Sequence, residues 1–386
     1  MRMPPKALLL AGLLGASING FAQTAPPPDK PAEPAAEPVF SIAGFDLTGH
    51  IDVGYTNLRG AGKFVSGINS RVFDFERNEV NLHAIDLQLA KLPESGFGGL
   101  VDVTLGKDAD VIAAYGTIDK NRGPANGVDK RADLTQAYVH YAVGPVTLIA
   151  GKFVTLSGAE VIKSAADTNY SRSILFGYAI PFTHAGVRAT YKVSDSLSLV
   201  AGVNQGWDAF KDPNSDKTLE LQAAITPSKS MSVLVAAYSG KELVTNYPKS
   251  EANGTRNLLD VVATFNLADP LTLILNFDYG TQQGGSASGG KAKWQGLAGY
   301  VNYQLNDYWR LSFRGEYFDD KDGYRTGLAQ KWKEVTATVA YLINKNFEVR
   351  AEVREDRSDK EAFLKSDRST ASKTDRSLGV EVLYKF

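Results

Sequence analysis

The chain has 386 residues, of which 22% are charged and 10% aromatic, with a formal net charge of -1 and no cysteine. This charge balance argues against a nucleic-acid-binding surface, which is normally basic. The absence of cysteine excludes a disulfide framework and a lipid-modified cysteine, so the fold must be stabilised by burial or by its surroundings.

Residues 1–22 are typical of a cleaved secretory signal peptide. Arg2 and Lys6 precede the apolar run Ala7 to Leu14, and small residues follow as far as Ala22. The apolar run is too short to cross about 30 Å of hydrocarbon as a helix, which argues against a transmembrane anchor. We therefore expect export and cleavage after Ala22.

Residues 23–39 are rich in proline and alanine. Such a segment cannot pack a core, and its composition predicts an extended periplasmic linker. The remaining residues, 40–386, form the folded part of the predicted protein.

From Phe45 to Phe386, apolar and polar residues alternate repeatedly, and no amphipathic helix interrupts them. Successive side chains of a strand point to opposite faces, so each segment predicts a strand with one apolar and one polar face. Together they predict about sixteen strands, near residues 45–58, 78–90, 97–106, 133–143, 146–153, 184–193, 197–204, 218–226, 231–240, 256–267, 271–282, 293–305, 308–319, 332–342, 347–356 and 377–386.

The connections between these strands alternate between tight turns and long polar loops. This alternation predicts an all-β protein, a closed antiparallel transmembrane β-barrel with short periplasmic turns and long outer loops. Closure pairs the last strand with the first and leaves no unpaired backbone in lipid. Around residue 84 the outward set shifts from Val80 and Leu82 to Ile85 and Leu87, which suggests a β-bulge.

Several runs carry a family resemblance: GKFVTLSGAEVI, NYSRSILFGYAIPFTHAGVRATYK, NQGWD, EYFDDKDGYRTG and the terminal LYKF. They resemble the OmpL-like outer-membrane beta-barrel porin family of Gram-negative bacteria from about Phe45 onward. The resemblance implies a pore in the cell outer membrane that contacts lipids, small polar solutes and ions. Tyr384 and Phe386 are similar to the C-terminal signal that barrel-assembly machinery reads. The resemblance implies no binding-site motif and no cofactor.

Three sets of residues bear a partial likeness to known sites of chemistry. GSASGGKA, ending at Ala292, lacks the Ser or Thr of a phosphate-binding loop and joins two predicted strands. DDKDG, from Asp319 to Gly323, would place Ala329 where a calcium loop needs a bidentate carboxylate. The four histidines fit neither a zinc motif nor a serine nucleophile elbow. We therefore expect no enzyme and no metal site.

Charged residues also occupy the predicted inner face. We predict that a water-filled lumen solvates them, because charges are costly in a dry interior and a barrel of this size is wide enough for water. The residues assigned to the pore wall are Arg188, Arg310, Arg314, Glu316, Arg350, Glu352 and Arg354.

The loop at residues 154–183 is the longest predicted connection and the third outer loop. It is rich in apolar residues, so we expect it to pack against something. In general porins of similar size the third outer loop folds inward and narrows the pore. We therefore predict a constriction whose charged members face the wall across water: Glu160, Lys163, Asp167 and Arg172. A hydrophobic cap or a subunit contact, and thus a homo-oligomer, is the alternative.

The favoured function is an outer-membrane porin for passive diffusion of small hydrophilic solutes and ions. Three alternatives stay open from the sequence: an occluded barrel with a structural or adhesive role, an outer-membrane hydrolase, and a soluble secreted β protein. Conductance, hydrolase activity and a requirement for detergent distinguish them.

Overall fold

The computed structural model describes residues 40–117, 131–244 and 253–386. The predicted signal peptide (1–22) and linker (23–39) lie outside the described residues. Within the described ranges, no helix is long and apolar enough to cross a membrane.

Sixteen long strands follow one another along the described chain. Their bounds are β1 Phe45–Leu58, β2 Val80–Lys91, β3 Gly96–Leu105, β4 Ala132–Val143, β5 Val146–Val154, β6 Thr183–Ser194, β7 Leu197–Asn204, β8 Thr218–Ser228, β9 Met231–Leu243, β10 Asn253–Ala268, β11 Leu271–Gln282, β12 Ala292–Gln304, β13 Trp309–Asp320, β14 Gln330–Leu342, β15 Phe347–Ser358 and β16 Thr374–Lys385. Each strand pairs antiparallel with its neighbours in sequence, and β16 also pairs with β1. The predicted closed barrel is confirmed, and the strand ends differ from the prediction by a few residues.

The alternation of the sequence becomes the two faces of the barrel. On β13, Arg310, Ser312 and Arg314 are buried and point inward, whereas Phe313 is 49% exposed on the outside. Outward apolar side chains of this kind need no protein cover, because lipid surrounds them. Closure supplies every strand with a hydrogen-bonded neighbour on both sides, as the hydrocarbon requires.

Strand register contains the predicted bulge. Asp52 of β1 pairs with Ala84 of β2, but Val53 pairs with Leu82, so His83 is the extra residue. The bulge turns His83 and Ala84 both away from lipid, and it shifts the phase of the rest of β2.

Shorter elements cover the ends of the barrel. Phe40–Ile42 pairs with β1, and a three-stranded outer sheet consists of Gly60–Phe64, Phe363–Lys365 and Ala371–Ser372. Helix α1 spans Lys107–Ile112, and the connection between β5 and β6 contains a 3-10 turn at Ser164–Ala166 and a π-helical turn at Leu175–Ala179. The hydrophobic core lies inside the barrel, where loop residues pack against inward-facing Phe318, Trp294 and Trp332.

Candidate functional site

Residues 155–182, which connect β5 to β6, lie inside the barrel, and we call this segment the inner loop. Its apolar side chains are buried: Leu156, Val161, Ile162, Ile174, Leu175, Phe176, Tyr178 and Ile180 are each at most 7% exposed. They belong to the same cluster as Trp294 and Trp332 of the wall. The apolar surface of this loop is therefore covered by the barrel wall and by other outer loops, for example where Phe73 stacks on Phe176.

Two wall carboxylates bind the backbone of the inner loop. Glu316 accepts hydrogen bonds from the amides of Ile174 (2.9 Å) and Leu175 (3.1 Å). Glu352 accepts them from Tyr170 (2.8 Å) and Ser171 (3.1 Å). Charge-assisted bonds of this kind are roughly twice as strong as neutral ones, so each glutamate fixes one turn of the loop.

Wall arginines bind the carbonyl groups of the same loop. Arg350 donates from Nη2 to Asp167 O at 2.6 Å, and Arg354 donates from Nη1 to Arg172 O at 2.7 Å. Arg314 donates from Nη1 to the carbonyl oxygen of Ser171 at 2.6 Å. The polar backbone groups of the loop thus find partners on the wall in place of water.

Each of these arginines also pairs with a carboxylate of the wall. Arg350 lies 3.0 Å from Glu381, Arg354 lies 2.7 Å from Asp356, and Arg314 lies 2.9 Å from Glu334. Such pairing offsets the cost of burying the charges, which is several kcal/mol for each ion.

Two further wall arginines have different surroundings. Arg188 of β6 pairs with Glu220 at 2.7 Å and donates to Val154 O at 3.1 Å, where β5 leads into the inner loop. Arg310, near the periplasmic end of β13, pairs with Glu348.

The four charged residues of the loop lie in direct contact with protein. Glu160 is 2.7 Å from Arg314, and Lys163 is 2.8 Å from Asp86 and 3.0 Å from Asp102. The remaining two form a pair within the loop. Arg172 Nε lies 2.9 Å from an oxygen of Asp167, and its Nη2 donates to Ile162 O at 2.7 Å.

These contacts differ from the expectation that loop and wall charges face each other across water. Arg188, Arg314 and Arg350 are at most 2% exposed, because the loop backbone occupies the position that water was expected to fill. The structure brings Glu160 to Arg314, but Asp167 and Arg172 mainly stabilise the shape of the loop itself.

Glycines on the wall make room for the inner loop. The ring of Tyr170 lies over Gly54 and Gly379, where an added Cβ would come within 2.6 Å and 2.5 Å of its atoms. The Tyr170 hydroxyl is 2.9 Å from Thr56 Oγ1 and 2.9 Å from His83 Nε2. A recess without side chains is therefore needed on β1 and β16 to seat this ring.

The periplasmic part of β8 to β12 is less covered. There the inward side chains of Thr264, Thr272 and Asn302 are partly exposed. The inner loop also binds this wall farther from the periplasm, where Gln222 donates to Leu156 O at 3.0 Å and Trp294 donates to Ala179 O at 3.0 Å. The accessible polar lumen surface of this wall therefore lies on its periplasmic side.

Sequence reasoning missed Asp86 and Asp102, the wall partners of Lys163. A usable signal was present, because Asp102 lies between Val101 and Val103 within a strand, and a carboxylate in that position must face away from lipid. Asp86 could not be assigned to the inner face, because the bulge at His83 changes the inward and outward alternation of β2. Within the described ranges, no group of three or more His, Asp or Glu residues is arranged to hold a metal ion.

Comparison with known structures shows the same fold. OmpT of Vibrio cholerae, an outer membrane protein, is 13% identical with a TM-score of 0.58, covering 91% of this chain and 100% of that one. The outer membrane channel DcaP of Acinetobacter baumannii is 15% identical with a TM-score of 0.58, covering 90% and 99%. An anion-selective porin from Comamonas acidovorans is 10% identical with a TM-score of 0.61, covering 89% and 99%.

Among proteins with curated descriptions, none matches this chain. The model of one family, described as "Putative beta-barrel porin-2, OmpL-like", matches residues 44–386. That range contains all sixteen strands and the inner loop. The chain therefore belongs to the OmpL-like family of β-barrel porins, channels for passive diffusion in the outer membrane of Gram-negative bacteria.

Proposed function

We propose that the inner loop sets the size of the pathway through which small hydrophilic solutes and ions diffuse. The observation that carries this proposal is the binding of the loop backbone by Glu316, Glu352, Arg350 and Arg354. A loop held by charged wall residues in two strands keeps a defined position, and a defined position gives a defined width.

The proposed pathway passes the inner loop and reaches the periplasm along the wall formed by β10 to β12. Partly exposed Thr264, Thr272 and Asn302 offer hydrogen bonds to hydrated solutes on its periplasmic side. Neutral polar side chains bind ions weakly, which suits passage rather than capture. In this proposal the charged residues shape the loop, and the polar wall contacts the solute.

Five further features belong to the same proposal. Residues 1–22 direct export, residues 23–39 act as a linker, and Tyr384 with Phe386 form the signal for the barrel-assembly machinery. The protein carries out no catalysis. A homo-oligomer is compatible with the fold, because one similar structure is a trimer form of OmpT of Vibrio cholerae.

An occluded barrel is the second candidate. It is favoured by the direct contacts of Glu160 and Lys163 with the wall and by the burial of Phe64, Trp294 and Trp332 at the outer end. In that case the lumen stays closed to solutes, and the outer loops carry a structural or adhesive function.

Planar-bilayer recording separates the two functions. The variant lacks Val161 to Arg172, and a matched control lacks residues 366–370, which are exposed at the tip of another outer loop. We expect the parent to conduct, the inner-loop deletion to conduct more per channel, and the control to match the parent.

Two results would change the assignment. A silent parent with a conducting deletion would favour the occluded barrel. A correctly folded deletion with the parent's conductance would show that the inner loop is not the constriction. Lipase and protease assays on the same samples test the absence of catalysis.

A further inference from the structure

Two arginines at the outer end of the lumen pack on the same tryptophan. Arg256, at the outer end of β10, and Arg325, in the loop after β13, lie 4.9 Å and 5.3 Å from the ring centroid of Trp207. Arg256 also lies over Tyr324, and Arg325 lies over Trp294. Three aromatic rings therefore hold both guanidinium groups beside Trp207, where the charge of Arg256 acts on Arg325.

The two charges have no carboxylate partner in the described part of the chain. Neither arginine forms an ion pair there, although every wall arginine described above does so. Arg325 has Asp208 and Asp320 in its surroundings. Those carboxylates bind backbone amides instead: Asp208 accepts from Phe182, and Asp320 accepts from Thr326.

Two like charges without a counter-ion are unfavourable in such a position. Burial lowers the pKa of Arg325, and the neighbouring charge of Arg256 lowers it further. The aromatic faces offset part of this cost through cation–π attraction. A bound anion would neutralise the remaining repulsion.

The guanidinium groups also keep donors available. Arg256 donates from Nε to Gln282 Oε1, and from Nη2 to the Tyr324 hydroxyl and to Leu243 O. Arg325 donates from Nε to Tyr178 O. Among the described residues, Nη1 of Arg256 and both Nη atoms of Arg325 have no acceptor. Arg325 and Trp207 are both partly exposed, so a solute can reach these donors.

We propose that Arg256 and Arg325 form a binding site for the oxyanion of a small solute, a carboxylate or a phosphate, at the outer end of the lumen. Guanidinium donors match the oxygen pairs of such anions. Trp207 fixes the spacing of the two groups by contacting both. Both arginines lie outside the inner loop, and Arg325 donates to the carbonyl oxygen of Tyr178 in that loop.

Tryptophan fluorescence of the detergent-solubilised protein reports on this site, since two of the four tryptophans belong to it. The probes are succinate, its neutral analogue succinamide and inorganic phosphate, each titrated at constant ionic strength. The variants are Arg256→Gln and Arg325→Gln. The matched control is Arg376→Gln, which removes an exposed arginine on the outside of β16.

We expect a saturable change with succinate, none with succinamide, and binding about tenfold weaker in each site variant. The control should bind like the parent. Saturation with phosphate alone would support the site and assign it to phosphate. The proposal is overturned if neither anion gives a saturable change, if succinamide binds equally well, or if a folded Arg325→Gln protein binds as the parent does.

Discussion

Arg314 on β13 and Glu160 on the inner loop form an ion pair, with Nη1 and Oε1 2.7 Å apart and both side chains buried. Arg314 also pairs with two other carboxylates, those of Glu334 at 2.9 Å and Glu316 at 3.3 Å. The two partners are therefore not equivalent. Arg314 forms ion pairs with three glutamates, whereas Glu160 forms its ion pair with Arg314. Because Arg314 pairs both with Glu160 of the inner loop and with two wall glutamates, it links the position of the loop to the stability of the wall.

The first prediction follows from this difference between the two partners. Arg314→Gln leaves three buried carboxylates without their cation and should destabilise the folded barrel by about 3–5 kcal/mol. Glu160→Gln leaves Arg314 paired and should cost only about 1–2 kcal/mol. Urea unfolding in detergent, followed by tryptophan fluorescence, measures both. Equal losses of stability in the two variants would contradict the prediction that Arg314 contributes more to stability than Glu160.

The second prediction concerns the recess for Tyr170. Gly379→Ala places a Cβ within 2.5 Å of the Tyr170 ring and should lower stability by about 1–3 kcal/mol, because the ring must move. Gly299→Ala is the control, since its nearest atom is 3.6 Å away, and its effect should stay within about 0.5 kcal/mol.

Gel mobility after heating to increasing temperatures gives the unfolding temperature of each glycine variant. Limited proteolysis shows whether the inner loop has become accessible. An unchanged unfolding temperature for Gly379→Ala would mean that the ring relocates without cost.

The third prediction separates the aromatic ring of Phe386 from its backbone. Phe386 and Gly49 exchange two backbone hydrogen bonds, of 2.7 Å and 3.0 Å. Phe386→Ala preserves these bonds but removes the ring, and we expect less inserted, heat-modifiable protein in the outer membrane. Phe386→Tyr should insert normally, because it keeps an aromatic terminus. Normal insertion of the alanine variant would show that the ring is not part of the assembly signal.

The fourth prediction is that ion selectivity is weak. The wall arginines in the lumen are paired with glutamates, so the net electric field on a passing ion is small. Lys163→Gln should shift selectivity toward cations, because Asp86 and Asp102 lose their cation.

Reversal potentials under a potassium chloride gradient measure this shift. Lys365→Gln removes an exposed lysine from the outer sheet and should leave the potential unchanged. A parent close to ideal selectivity of either sign would contradict the prediction of weak selectivity.

The barrel was predictable because the alternation that produces it is visible within each single strand. Lipid on one side and polar surroundings on the other force a period of two, and that period can be read within a single strand such as β16. Alternating tight and long connections then fix the antiparallel order. Even the bulge at His83 left a signal, because the apolar phase of β2 changes there.

The inner loop was predictable only in part. Its apolar residues indicated that it must be covered, but the partners of its charges depend on closure of the whole barrel. Tyr170 meets Gly379 and Lys163 meets Asp86 because strands distant in sequence become neighbours around one lumen. The period-of-two pattern shows which side of the wall a residue faces. It carries no information on the position of a residue along the barrel axis or on its distance from residues across the lumen. For this reason the sequence by itself determined the barrel, and the tertiary structure decided which charges meet.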